Sequence, residues 1–282
     1  MSTLIDCTTD AGLDEAIEAA RAALGRQECV VLPTDTVYGI GADAFSPQAV
    51  AVLLAAKGRG RNMPPPVLIG APQVMDGLAA DVPDGARALA EAFWPGALTL
   101  ILPAQPSLAW DLGETRGTVA LRVPDDQVAR ELLREVGPMA VSSANRTGLP
   151  AATSAAAARE MLGESVAVYL DDGDRDLSAP STIVDCTVTP FRVVRQGALP
   201  HAELAAVVPD LVPLDGAGSA DAAGAGTGPA APAAAEPAEV APADAEPAEV
   251  APADAAPATG PHDGAGADAG PGDTPGGAPA GR

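Results

Sequence analysis

The stretch from Val30 to Ile69, VVLPTDTVYGIGADAFSPQAVAVLLAAKGRGRNMPPPVLI, sets the strongest limits on the fold. The apolar run Cys29-Val30-Val31-Leu32 reads as a buried strand. Pro33 ends it, because proline cannot donate to a ladder. Thr34, Thr36 and Tyr38 then bring three hydroxyls onto a segment expected to turn at Gly39 and Gly41. Ser46 and Pro47 open a helix as N-cap and first helical residue. Val50, Leu53, Leu54 and Lys57 follow at helical spacing, so a cation shares the apolar face. Gly58 suits the helix end, and Arg59 and Arg61 come directly after it. Hydroxyls at a strand end and cations at a helix end point to one polar site.

How much of the chain shares in such a fold is decided by composition. Up to about Leu214, apolar runs alternate with Gly and Pro; beyond it almost every residue is Ala, Pro, Gly, Asp or Glu. A segment this poor in large apolar side chains cannot offset its ordering entropy. It also holds a tandem decapeptide, AEPAEVAPAD, at Ala235 to Asp244 and Ala245 to Asp254. We therefore expect one folded domain over residues 1–208 and a disordered acidic tail over 209–282, solvating or partner-binding. The net charge is −22, of which −10 lies in residues 215–282, so the folded part is acidic as well. An acidic body is a poor general nucleic-acid binder, yet it can hold a small anion in a locally basic cleft.

Elsewhere, Leu13 to Leu24 reads as a helix stopped by Gly25, and Val67 to Ile69 as a short buried strand. Ala86 to Trp94 is a helix before Pro95-Gly96, and Leu98 to Leu102 an almost wholly apolar, central strand. Val119 to Val123 alternates, with Ala120 and Arg122 on one face. Asp125 is expected to cap a helix running to Val136, Met139 to Val141 to form a strand, and Thr153 to cap a helix ending at Leu162. Val166 to Leu170, Ser181 to Val184 and Phe191 to Val194 read as strands, and Pro200 to Val208 as a last helical turn. The pattern predicts an α/β (α+β) fold, an open twisted mixed sheet flanked by helices.

Several chemistries are disfavoured. The only histidines, His201 and His262, lie at the domain edge and in the tail, which argues against Ser-His and Cys-His nucleophile systems. Cys7, Cys29 and Cys186 lack metal-site spacing and suit buried, reduced thiols. Neither a Walker A nor a Rossmann glycine pattern occurs. No apolar stretch is long enough to span a bilayer and the N-terminus does not resemble a signal peptide, so a soluble cytoplasmic protein is expected.

The candidate site residues fall into four groups. Lys57, Arg59 and Arg61 are three of only 16 basic residues. A solvated helix end accounts for them as well as an anion site does, but a cation on the apolar face favours an anion such as triphosphate. Arg122 suits bidentate recognition of a carboxylate, or is a surface side chain. Ser142-Ser143-Ala144-Asn145 ends a strand, where ligands gather in open sheets, or is a polar turn. Ser181-Thr182 and Arg195 form the last group.

In order along the chain, PTDTVYGIGADA, KGRGR before a proline-rich turn and VLI, FWPGALTLIL, VALRVP, SSAN-x-TG and STIVD resemble the YrdC/TsaC family of L-threonylcarbamoyladenylate synthases. The matches span Val30 to Gly197. The resemblance implies a YrdC-like fold with a positively charged concave cleft. It implies the conversion of L-threonine, bicarbonate and ATP, with Mg²⁺, to threonylcarbamoyl-AMP and pyrophosphate. The product would pass to the tRNA threonylcarbamoyltransferase proteins that complete t6A, so tRNA is reached indirectly. By the same resemblance Thr34, Thr36, Tyr38, Thr118, Arg122, Ser142 and Ser181 contact threonine. Lys57, Arg59, Arg61, Ser143, Asn145 and Arg195 contact ATP, with Lys57 and Arg59 as the catalytic cations. Metal ligands are not assigned. Gly70 stands where many members carry a threonine-binding His after the strand Val67 to Ile69. The tail replaces a second globular domain found in some members, which implies the single-domain form. Two other readings are a carbamoyl-adenylate-forming enzyme and a non-catalytic RNA-binding module.

Overall fold

The structure, a computed structural model, describes residues 2–175 and 179–214. The tandem decapeptide and the tail from residue 215 lie outside the described residues. The strands are β1 (Thr3–Asp6), β2 (Val30–Leu32), β3 (Gly39–Asp43), β4 (Val67–Leu68), β5 (Leu98–Pro103), β6 (Thr118–Arg122), β7 (Met139–Ser143), β8 (Val168–Asp171), β9 (Thr182–Asp185) and β10 (Arg192–Arg195). They form one mixed sheet in the order β1-β8-β2-β3-β7-β4-β6-β5-β9-β10. The helices are α1 (Asp10–Gly25), α2 (Pro47–Lys57), α3 (Met75–Leu78), α4 (Asp84–Phe93), α5 (Gln127–Val136), α6 (Ala155–Leu162) and α7 (His201–Val207).

Helix α2 forms as its local signals dictate. Ser46 Oγ accepts the Ala49 N–H at 3.2 Å, Pro47 sits in the first turn, and Gly58 ends the helix in the left-handed region at φ 64°. Val50, Leu53, Leu54 and Lys57 are all buried, so the expected shared face is real.

The segment after Tyr38 differs from expectation. Gly39 and Gly41 do not turn; they lie in β3, paired antiparallel with β2 on one side and β7 on the other. Their role is close approach. A Cβ at Gly39 would stand 2.6 Å from Val141 Cγ1, and one at Gly41 2.6 Å from Met139 Cε. Two expected caps shift by one residue. Asp126, not Asp125, caps α5 by accepting the Ala129 N–H at 2.8 Å, while the Asp125 N–H goes to Asp35. Ser154, not Thr153, caps α6 through the Ala157 N–H at 3.1 Å. Helix α1 begins earlier than expected, capped by Thr9, and includes Gly25. The edge strand β1 is an addition, parallel to β8. The apolar strand β5 is interior, between β6 and β9.

Helices cover the two faces of the sheet unequally. On the first face α2, α3, α4, α6 and α7 pack into a large apolar core over Val31, Ile40, Val67, Leu100, Leu121 and Val184. On the second, α1 and α5 cover Val30, Leu32, Leu68, Met139, Val141 and Leu170. That second core stops at β4. On β6, β5 and β9 the same face carries Ala120, Arg122, Thr99, Ile101 and Ile183, which alternate with the first-face residues. Ala120, Ile101 and Ile183 are only half-buried. Among the described residues, the far half of the second face is therefore an open floor. The three cysteines are free and buried, and burial pushes each thiol up to about 12. No helix among the described residues is long and apolar enough to cross a membrane.

Candidate active site

Arg122 occupies one end of this floor. It is 6% exposed, and its guanidinium donates from Nε to the Gly96 carbonyl at 2.9 Å, from Nη1 to Thr36 Oγ1 at 3.1 Å, and from Nη2 to Asp35 Oδ1 at 2.6 Å. Burial pulls its pKa down, and the charge and hydrogen bond of Asp35 oppose that pull. Asp35 also accepts the Asp125 N–H at 3.0 Å. The loop from Thr34 to Tyr38 thus reaches across the sheet from β2 to β6. Its shape comes from Thr34, whose hydroxyl donates to the Val37 carbonyl at 2.6 Å and accepts the Thr36 N–H at 3.2 Å. Thr34 and Thr36 hydroxyls lie 3.0 Å apart.

Beside Arg122 stands a second polar group. One step beyond the Leu100–Leu121 pair, Thr99 faces Arg122 across β5 and β6. Thr99 Oγ1 lies 2.8 Å from Ser181 Oγ, which accepts from Arg195 Nη2 at 3.0 Å. Arg195 also grips the Ser181 carbonyl through Nε and Nη2, at 3.1 and 2.9 Å. Ser181 is buried, because β9 enters the sheet directly after it.

The third group joins α2 to β7. Lys57 Nζ donates to the carbonyls of Ser143 and Asn145, at 2.5 and 2.8 Å, and to Asn145 Oδ1 at 3.1 Å. Asn145 Nδ2 donates onward to the carbonyls of Arg146 and Leu149. Arg59 Nη1 donates to Ser142 Oγ at 2.8 Å. The Ala144 N–H reaches the Tyr38 carbonyl at 2.7 Å, which ties this loop to the hydroxyl loop. A continuous line of hydroxyls and cations therefore runs from Arg59 and Lys57, through Ser142 to Asn145 and Thr34 to Thr36, to Arg122, Thr99, Ser181 and Arg195.

Three expected members stand apart. Tyr38 is wholly buried; its phenol donates to the Gly173 carbonyl at 2.7 Å and accepts the Asp172 N–H at 3.1 Å. Burial raises its pKa, so it remains a neutral anchor. Arg61 pairs with Asp111 at 2.8 and 3.0 Å on the surface, away from the named partners of Lys57 and Arg59. Thr118 shares Arg122's face but starts the same strand, roughly 13 Å away at the rise of an extended chain. Its hydroxyl donates to the Thr115 carbonyl. Asp35 and Thr99 were not among the sequence-derived candidates. Asp35 lies inside the PTDTVYG motif and was within reach of that reading; Thr99 in LTLIL carries no polar signal beyond itself.

Gly70 follows β4 and is buried against α5. A Cβ there would meet Arg134 N, Arg134 Cγ and the Leu133 carbonyl carbon, each at 3.2 Å. Helix backbone thus occupies the space beside this position.

Comparison with known proteins follows the same lines. The Sua5/YciO/YrdC family model, described as "Telomere recombination", matches residues 22–197. A putative threonylcarbamoyl-AMP synthase of Mycobacterium tuberculosis is 53% identical over 208 residues, covering 74% of this chain and 96% of that protein. The threonylcarbamoyl-AMP synthase of Bacillus subtilis is 38% identical over 198 residues, 69% of this chain and 57% of that protein. A crystal structure of Pyrococcus abyssi Sua5 complexed with L-threonine matches with a TM-score of 0.71 and 31% identity, covering 79% of this chain and 66% of that one.

Proposed function

The chain belongs to the Sua5/YciO/YrdC family, and on that premise we propose that it is a threonylcarbamoyl-AMP synthase. It joins L-threonine, bicarbonate and ATP into threonylcarbamoyl-AMP and releases pyrophosphate, the first step of t6A formation on tRNA. The observation that carries this reading is the run of polar groups that starts at the Arg59–Ser142 contact at the end of β7, passes through the hydroxyl loop and reaches Arg122 and the Ser181–Arg195 pair on the open floor, with cations at both ends.

Arg122 takes the amino-acid carboxylate. Its three named bonds leave two guanidinium N–H groups for a bidentate partner, and Asp35 holds its plane. Thr36 and Ser181 flank that end. The threonine nitrogen attacks the bicarbonate carbon and a C–O bond breaks, with loss of water, to leave a carbamate. A carbamate oxygen then attacks the α-phosphorus, and the Pα–O bond to pyrophosphate breaks. This needs positioning and charge neutralisation more than a titrating base. Arg59 supplies a cation to the nucleotide, whereas Arg195, expected there from the sequence, is bonded to Ser181 at the amino-acid end. Lys57 acts there by shaping the loop from Ser143 to Asn145. Among the described residues no three His, Cys, Asp or Glu side chains stand together as a metal cage, so we assign no protein-held ion. With ATP bound, Mg²⁺ would supply charge neutralisation at the phosphates. The product is a mixed anhydride and passes to proteins that transfer the threonylcarbamoyl group to tRNA.

The test is pyrophosphate release from ATP, Mg²⁺, bicarbonate and L-threonine. Release should require threonine; a threonine-independent rate, or none, overturns the reading.

A further inference from the structure

Arg175 has no part in the scheme above, yet it is the most heavily bonded side chain near the hydroxyl loop. It lies between β8 and β9. Its Nε donates to the Thr34 carbonyl at 3.0 Å and Nη1 to the Asp172 carbonyl at 2.8 Å. Its Nη2 donates to Asp126 Oδ2 and Asp172 Oδ2, each at 2.8 Å. The guanidinium carbon stands 5.4 Å from the centre of the Tyr38 ring. Its own N–H donates to the Thr153 carbonyl at 2.8 Å. One side chain therefore joins the hydroxyl loop, the N-cap of α5 and the end of β8.

These bonds bear on substrate because of what lies on the other side of the loop. Arg175 holds Thr34 by its carbonyl, while Arg122 holds Thr36 by its hydroxyl and Asp35 by its carboxylate. The two guanidiniums grip a three-residue span from opposite ends. They are linked a second time, because Asp126, the partner of Arg175, adjoins Asp125, whose N–H fixes Asp35. Removing Arg175 would free the Thr34 carbonyl and leave the Asp126 carboxylate, 8% exposed in its side chain, without its cation. The loop would shift relative to β6, and with it the two groups that orient Arg122.

We propose that Arg175 is a positioning residue for the amino-acid end of the site. It sets the hydroxyl loop over the open floor so that Thr36 and Asp35 hold Arg122 in the plane a carboxylate requires. The proposal rests on the synthase reading of that end. It separates Arg175 from a general clamp, because the nucleotide end is built by Lys57, Arg59, Ser143 and Asn145, to none of which Arg175 is bonded.

The test uses the full-length chain and calorimetric titration with L-threonine and, separately, with ATP and Mg²⁺, on wild type, Arg175→Ala and Arg175→Lys. Arg175→Ala should weaken threonine binding about tenfold and leave ATP binding within about twofold. Arg175→Lys should fall between the two, since a point cation cannot reach the Thr34 carbonyl and Asp126 with a planar fork. Equal weakening of both ligands, or no change in threonine binding, overturns the proposal. If Arg175→Ala does not fold, Arg175→Lys is judged by the same split. A folded wild type that binds ATP but not threonine overturns the synthase reading itself. A wild type that binds threonine as tightly as the variants overturns the positioning role alone.

Discussion

Lys57 is 3% exposed, in a place where an unbonded ammonium would be costly. Its three named acceptors are two main-chain carbonyls and the Asn145 side-chain carbonyl. The ion is thus a structural tie between the end of α2 and the loop after β7 as well as a charge near the nucleotide. Replacing it by Met keeps the stem but leaves those oxygens in the interior. We expect Lys57→Met to lower the unfolding free energy by about 3 kcal/mol, measured by urea titration, and to impair ATP-dependent turnover. Unchanged stability would show that the tie is not needed. Arg122 makes the complementary point. Its face was readable from VALRV, but a strand residue alternating with Ala120 can as easily be solvated. Burial under a loop that arrives from β2 decided the matter, and no local pattern encodes that arrival.

Among the elements, α2 was the most legible, because its cap, first-turn proline and left-handed glycine all act within a few residues. Strand β3 was the least. Its two glycines read as turns, since a turn is the commonest use of glycine and the close approach of Val141 and Met139 is a tertiary fact. Gly70 has the same logic at the end of β4. Its missing side chain makes room for the last turn of α5, and the space a histidine would need is filled by backbone at Leu133 and Arg134. Gly70→His should therefore not improve threonine use. We expect it to cost at least about 2 kcal/mol in thermal or urea unfolding, with the threonine KM equal to or above wild type. A histidine variant of normal stability with a lower threonine KM would contradict this packing.

At the scale of the molecule, the described fold continues past the boundary expected at residue 208. Leu211 is buried, and Val212 exchanges main-chain hydrogen bonds with Val193 and Phe191, at 2.9 and 2.8 Å. A chain ending after Leu214 should match the full-length protein in unfolding midpoint and pyrophosphate release. One ending after Val208 should unfold earlier, because it strips the edge partner from β10 and uncovers the apolar contacts of Leu211. Equal midpoints for the two truncations would show that the closing segment contributes nothing.

By itself the sequence determined the local grammar: where strands stop, which residues cap α2, that the first 214 residues can bury a core, and which hydroxyls and cations are concentrated in a few motifs. Those features depend on neighbours a few residues away, where spacing and side-chain chemistry suffice. Tertiary structure alone decided that β7 lies between β3 and β4, that helices leave the floor of β6, β5 and β9 open, and that Thr99, Asp35 and Arg175 join the site. Arg175 was invisible in a run of aspartates because charged turns are usually solvated. It became a structural residue only when folding brought Thr34, Asp126 and Asp172 within reach of one planar cation. Contacts of that kind are set by the packing of segments distant in sequence, and their geometry exists only in the folded chain.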